Sequence, residues 1–204
     1  GPRIVGTEPV TLNAEIDASK IKGWSDEGFQ FDASGSEGAF VTYEWDFGDG
    51  NTATGESVEH NWSQGGLYFV VLTAKDAEDR QSVAFQEISI DHEENGNGEV
   101  NGGGQESILS TINPYVENVT IYINLTGEST LPNQFEEQVT VTITPPSGVV
   151  FEQSVSLGAQ TEYIKYTTNE GEMVGDWVIL LESDSIDSAF SYNYNWVTYF
   201  QDNS

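Results

Sequence analysis

The chain has 204 residues, with 34 Asp and Glu against 6 Lys and Arg, a formal net charge of −28, two His, 21 Gly, five Trp and no Cys. So negative a surface repels phosphate backbones and anionic lipid, and six scattered cations cannot build a basic patch; nucleic acid and direct membrane binding are excluded as expectations. Without thiols there can be no disulfide framework, thiolate metal site or cysteine nucleophile.

At roughly 150 residues per domain the length allows one large domain or two small ones. Gly1-Pro2 reads as the scar of a removed tag and residues 1–7 as a flexible N-terminus, so a signal peptide can have preceded them. No apolar run approaches the roughly 20 residues of a spanning helix. Acidic excess with scarce lysine suits a protein that stays hydrated in salty or extracellular surroundings, a pointer to a halophilic or marine microbe.

Apolar residues recur with period two over short runs broken by Gly, Pro, Asn and Asp, and no long run carries the i, i+3, i+4 stripe of a helix. The pattern predicts an all-β chain of two β-sandwich domains in tandem. In the first, residues 8–91, strands are predicted over 10–15, 28–32, 40–47, 56–62, 67–75 and 82–90. Residues 92–105, H-E-E-N-G-N-G-E-V-N-G-G-G-Q, have almost nothing apolar to bury and read as a flexible linker. In the second domain, 106–204, strands are predicted over 118–125, 138–144, 150–157, 162–167, 176–182 and 190–200.

Three motifs fall in order in the first half: Phe31-Asp32-Ala33-Ser34-Gly35-Ser36, Tyr43-Glu44-Trp45-Asp46-Phe47-Gly48-Asp49-Gly50 and Gly66-Leu67-Tyr68-Phe69-Val70-Val71-Leu72-Thr73. Together they closely resemble the PKD (polycystic kidney disease) domain over about residues 8–91. The resemblance implies an immunoglobulin-like sandwich, found in cell-surface proteins and secreted microbial hydrolases as a non-catalytic spacer or binding unit. The residues agree independently: Trp45 and Phe47 share a strand face and would anchor the core, Gly48 and Gly50 suit a tight turn, and Asp46 and Asp49 would tie its amides. In the second half, Gly175-Asp176-Trp177-Val178-Ile179-Leu180-Leu181-Glu182 and the late aromatic strand resemble the jelly-roll accessory domains of secreted peptidases; an immunoglobulin-like sandwich is the alternative.

Catalytic motifs are missing: no G-x-S-x-G, H-E-x-x-H, G-x-x-x-x-G-K-[ST] or G-x-G-x-x-G occurs. His92 has no second histidine one turn on, and His60 reads as a packed strand residue. Paired carboxylates carry no information in so acidic a chain, and a sandwich of this size spends its interior on packing. The chain is therefore expected not to be an enzyme.

A calcium site is the one metal expectation. In an immunoglobulin-like sandwich the loop after Asp32 and the hairpin 76–80 share an end, which would gather Asp32, Glu37, Asp76, Glu78 and Asp79, and crowded carboxylates recruit a hard cation. The bland alternative is solvated loop charge. Some PKD domains bind calcium near this end, but the acidic insertion common in the family is shortened here to Gly35-Ser36-Glu37-Gly38-Ala39.

Sequons at Asn61, Asn118 and Asn124 make glycosylation a possibility. Alternation puts Val119, Ile121, Ile123 and Leu125 in the core and Asn118 and Asn124 outside. Phe190, Tyr192, Tyr194 and Trp196 share a strand face; open, it would be a sugar-stacking platform, and closed, the inner face of a sandwich. Lys165 reads as an exposed strand lysine. The expected function is a secreted or cell-surface spacer, adhesion or accessory module, monomeric and stiffened by calcium where that site forms. The alternative is a carbohydrate-binding module; polysaccharide or another surface protein is the expected partner.

Overall fold

The computed structural model describes residues 11–127, 137–158, 160–168, 174–184 and 189–201, and among these there is no helix. Residues 1–7 and Val10 lie outside the described residues. The chain divides into two units, Gly1–Ser63 with Leu67–Ser89, and Gln64–Gly66 with Ile90–Ser204.

The first unit contains β1 (Asp17–Ala18), β2 (Lys22–Trp24), β3 (Phe29–Asp32), β4 (Phe40–Asp46), β5 (Thr52–Thr54), β6 (Ser57–His60), β7 (Gly66–Asp76) and the start of β8 (Gln81–Val100). One sheet runs β1-β3-β6; the other runs β8-β7-β4-β5, with β2 also on β8. Period-two alternation decides what is buried: Phe29 and Phe31 are inside and Gln30 outside on β3, while Trp45 is buried between Glu44 and Asp46 on β4. Phe31 lies 5.9 Å from the Trp45 ring, 5.7 Å from Phe47 and 6.2 Å from Trp62, so both sheets close on one aromatic core. Burying each such ring is worth roughly 1.5–3 kcal/mol. The strand predicted over 10–15 is only a bridge between Asn13 and Glu37. The two- and three-residue strands β1, β2 and β5 escape prediction because so short a segment completes no period.

The second unit takes up the rest of β8, then β9 (Gln105–Ile112), β10 (Val116–Gly127), β11 (Glu137–Thr144), β12 (Phe151–Leu157), β13 (Thr161–Thr168), β14 (Gly175–Ser183) and β15 (Phe190–Phe200). Its sheets run β13-β10-β15-β8 and β12-β11-β14-β9. Among the described residues the strands of both sheets pair antiparallel. Consecutive strands alternate between the sheets except for the hairpin β11-β12, which is the eight-stranded jelly-roll order. Val119, Ile121, Ile123, Leu125, Val139, Val141, Ile143, Ile179 and Leu181 fill the space between, all fully buried. Trp177 of one sheet meets Trp196 of the other edge-on at 5.6 Å.

The flexible linker expected over 92–105 is not what these residues form. Through Val100 they are strand, paired with β15 in the register Tyr192↔Gly98, Tyr194↔Gly96 and Trp196↔Glu94; a turn closed by Gly104 N–H to Asn101 O leads into β9. Gly and Asn have poor strand propensity, so composition alone pointed the other way. The edge of β15 supplies the hydrogen-bond partners and the rings of Tyr192 and Tyr194 supply the packing that the tract itself lacks. These residues complete the jelly roll as its first strand.

Candidate functional site

In the first unit the turn after β4 has the chemistry its sequence implies. Gly48 and Gly50 take φ of +77° and +89°. The N–H of Gly48 donates to Asp46 Oδ1 (2.9 Å) and that of Asn51 to Asp49 Oδ1 (3.0 Å). His60 Nε2 lies 2.9 Å from Asp49 Oδ2, with its ring stacked on Phe47 at 4.0 Å and edge-on to Trp62. Partial burial raises the Asp49 carboxyl pKa, but the Asn51 backbone and side-chain amides and His60 outweigh it and hold it below the usual carboxylate value. The neighbours of this His–Asp pair are aromatic rings and turn amides, which suits a structural clamp.

Of the acidic residues expected to gather for calcium, Asp76 and Glu78 share one network through Arg80, and Asp32 belongs to another. Asp32 accepts from Ser34 N–H (2.8 Å), from the Ser34 hydroxyl and from the Ser57 hydroxyl, which together lower its pKa. Asp76, 3% exposed, accepts at Oδ1 from the N–H groups of Glu78 and Arg80 and at Oδ2 from Arg80 Nε at 2.7 Å. Burial raises its pKa, but the Arg80 amide and guanidinium and the Glu78 amide outweigh that and leave it lowered. Glu37 is held by its backbone against Asn13, and Asp79 is an exposed turn residue with φ +61°. Among the described residues no three His, Asp or Glu form a metal-holding group.

The aromatic stripe of β15 faces inward. Phe190 and Trp196 are 0% and 1% exposed and Tyr192 8%, and Tyr194 packs against the same core half-buried. An open stacking platform at Tyr192, Tyr194 and Trp196 is therefore corrected to core: the opposing sheet β12-β11-β14-β9 covers that side. Tyr194 Oη donates to Glu94 Oε1 and Ser110 Oγ to Glu94 Oε2, each at 3.2 Å, so one carboxylate ties β8, β15 and β9. Burial first, then the Glu94 charge, raises the Tyr194 pKa. Among the described residues, Trp196 Nε1 and Asn118 Oδ1 are buried without a hydrogen-bond partner.

Of the sequons, Asn61 is exposed, whereas Asn118 and Asn124 are half-buried in β10 between β13 and β15. Their exposure was expected from alternation alone, which does not register neighbouring side chains on the same face. Lys165 is exposed, with Nζ 5.4 Å from the centre of the Tyr122 ring.

What the sequence reading missed is the outer face of the sheet β13-β10-β15-β8. Register aligns two rows across it: Lys165, Tyr122, Asn195, Asn95, and Tyr163, Asn124, Asn193, Asn97. The rings of Tyr122 and Tyr163 are 6.0 Å apart. Asn124 Nδ2 donates to Asn193 Oδ1 at 2.8 Å, Asn195 Nδ2 donates to Asn95 Oδ1 at 2.6 Å, and Asn195 Nδ2 also reaches Glu93 Oε1. Each strand shows its polar half in sequence, but the rows exist only once four strands are in register. A shallow groove of about 430 Å³ on the first unit, lined by Glu44, Asp46, Thr52, Thr54 and Thr73, holds neither His nor Lys in its lining, and Glu44 is engaged by Lys75 at 2.7 Å.

Residues 10–90 match the family model described as the PKD domain. The chain is 37% identical over 67 residues to collagenase ColQ1 of Bacillus cereus (strain Q1), covering 31% of this chain and 7% of that protein. It is 32% identical over 71 residues to collagenase ColA of Bacillus cereus, covering 33% of this chain and 7% of that one. The chain thus spans only a small part of the length of these relatives. A solved structure from work on carbohydrate-binding modules of the β-sandwich superfamily aligns with 96% of this chain and 99% of its own at TM-score 0.39 and 17% identity. Another, described as CBM4 structure and function, aligns with 67% of this chain and 76% of its own at TM-score 0.29 and 11% identity. No helix among the described residues is long and apolar enough to cross a membrane. With the W-D-F-G-D-G turn, the two-sheet aromatic core and the matching family model in agreement, residues 10–90 of this chain are a PKD domain.

Proposed function

We propose that this chain is a non-catalytic accessory segment of a secreted or cell-surface microbial protein, in which the PKD domain positions a jelly-roll module. The observation that carries this reading is the PKD match over residues 10–90; beside it, alignments of 67 and 71 residues to two collagenases cover only 7% of each protein. A segment so small beside its parent fits an appended part. The chemistry of both units agrees with that reading. His60 stacks on Phe47 while its Nε2 meets Asp49, and the aromatic interior of the second unit is closed by its own opposing sheet. The high negative charge suits a module that works hydrated outside the cytoplasm.

Two measurements test it together. The purified chain, incubated with gelatin and with soluble polysaccharides, releases neither amines nor reducing ends; release that scales with chain concentration would overturn the non-catalytic part. Immunodetection in fractionated producer cells finds the chain in the medium or on the surface, and a pool confined to the cytosol would overturn the location.

A further inference from the structure

We propose that the outer face of the sheet β13-β10-β15-β8 is a binding site for a neutral polysaccharide. The two rows described above lie on neighbouring outward positions, so they run roughly 7 Å apart, and side chains within a row repeat at the strand spacing of roughly 4.8 Å. Each row has an aromatic ring on the β13-β10 side and two amides on the β15-β8 side. Tyr163 is 54% exposed, and Asn193, Asn95 and Asn97 are exposed.

Composition selects the occupant. In a chain of net charge −28 these two rows contain no carboxylate and one cation, Lys165, while Glu93 and Glu99 border them on β8. An anionic polymer would meet the field of the whole protein. An apolar protein surface would strip water from a group of carboxamides and leave donors and acceptors unpaired, at a cost that grows with each one. A neutral polysaccharide avoids both. Its hydroxyls donate and accept, as each carboxamide also does, and its C–H faces can lie on tyrosine rings.

The amides are spaced and oriented by their own bonds: Asn124 to Asn193 on one row, Asn195 to Asn95 on the other. Among the described residues the Asn193 amide nitrogen makes no hydrogen bond, so this exposed donor is available to a ligand. Asn is depleted in strands, and a merely solvated face would be made as well by Thr, which occupies the flanking positions Thr120, Thr126, Thr161 and Thr167. Amides replace threonines where the rows form. The site stands on its own geometry and rests on the accessory reading only for its use, which would be to hold the parent protein on its polymer.

The test is native affinity electrophoresis of the whole chain in gels containing hydroxyethylcellulose, galactomannan or a β-1,3-glucan, with alginate as the anionic control. The expected result is retardation in at least one neutral gel and none in alginate. Tyr163→Ala and Asn193→Ala then each weaken binding by about tenfold with an unchanged melting temperature, since both side chains are exposed. Unchanged mobility in all three neutral gels, retardation by alginate alone, or full retardation of both variants would overturn the site. None of these outcomes touches the accessory reading, which is decided by hydrolysis and fractionation.

Discussion

The ring of Tyr194 lies over Gly96 on the adjacent strand, occupying the space where any other residue at 96 would place its Cβ. Two positions on, Tyr192 covers Gly98 in the same way, and a Cβ there would come within 2.5 Å of its phenol oxygen. Aromatic cover of strand glycines is a known device for pinning register, and here it converts a glycine-rich tract into the first strand of a jelly roll. Gly96→Ala and Gly98→Ala should each cost about 1–3 kcal/mol, the range for overpacking. Asn95→Ala and Asn97→Ala, on the outward positions, should stay within about 0.5 kcal/mol. Urea melts of the four variants check this; equal effects from all four would mean that the tract is not held by those rings.

Two buried tryptophans differ in one bond. Trp45 Nε1 donates to Gly55 O at 2.8 Å, whereas Trp196 Nε1 has no partner among the described residues. Trp45→Phe removes a hydrogen bond and orphans a carbonyl; Trp196→Phe removes a donor that was already unpaired. Both lose packing, so the comparison isolates the bond: Trp45→Phe should be the costlier by about 1–2 kcal/mol. Thermal melts that rank the two variants the other way would contradict the assignment.

Acid should loosen the PKD domain first through Asp49 and Asp76. Both carboxyls have folded-state pKa values held below the usual carboxylate range. A depressed carboxyl stabilises the fold above its unfolded pKa, and that contribution is lost as the pH falls from about 4 through the folded value. Stability of the first unit should therefore decline below about pH 4, and Asp76→Asn should flatten the decline while lowering stability at pH 7. Fluorescence of the tryptophans across pH 2 to pH 7 follows it; an unchanged acid limb in the variant would remove Asp76 from the account.

Calcium, magnesium and chelator at fixed ionic strength should give one and the same melting temperature. Asp32 and Asp76 already spend their oxygens on serine hydroxyls, backbone amides and the Arg80 guanidinium, so a cation would have to break those bonds before gaining its own. A ligand specific to the native state raises the melting temperature with its concentration, so a rise with calcium alone would mean a site these networks do not foretell.

Eleven of the twelve strands expected from alternation correspond to strands of the fold, because burying one face of a strand is a local demand that leaves a period-two mark. The core set Val119, Ile121, Ile123 and Leu125 was legible for that reason, and so was the turn from Asp46 to Asn51, whose glycines and aspartates act within a few residues of one another. The calcium expectation placed residues by topology at one end, but whether carboxylates meet a cation or a neighbouring donor depends on side-chain geometry that topology does not carry.

The sequence by itself determined the class, the PKD segment and most of the strands, since motif spacing and alternation are properties of contiguous residues. Only the tertiary structure decided that residues 92–100 are a strand, that Tyr192 and Trp196 face inward, and that Tyr122, Tyr163 and a group of asparagines share one outer surface. In each case the deciding partner is distant in the chain: Asn95 meets Asn195, and Gly96 meets Tyr194. Alternation says that a strand has two faces; which face is covered, and what stands beside it, is settled by the strands that pair with it and the sheet that packs against it.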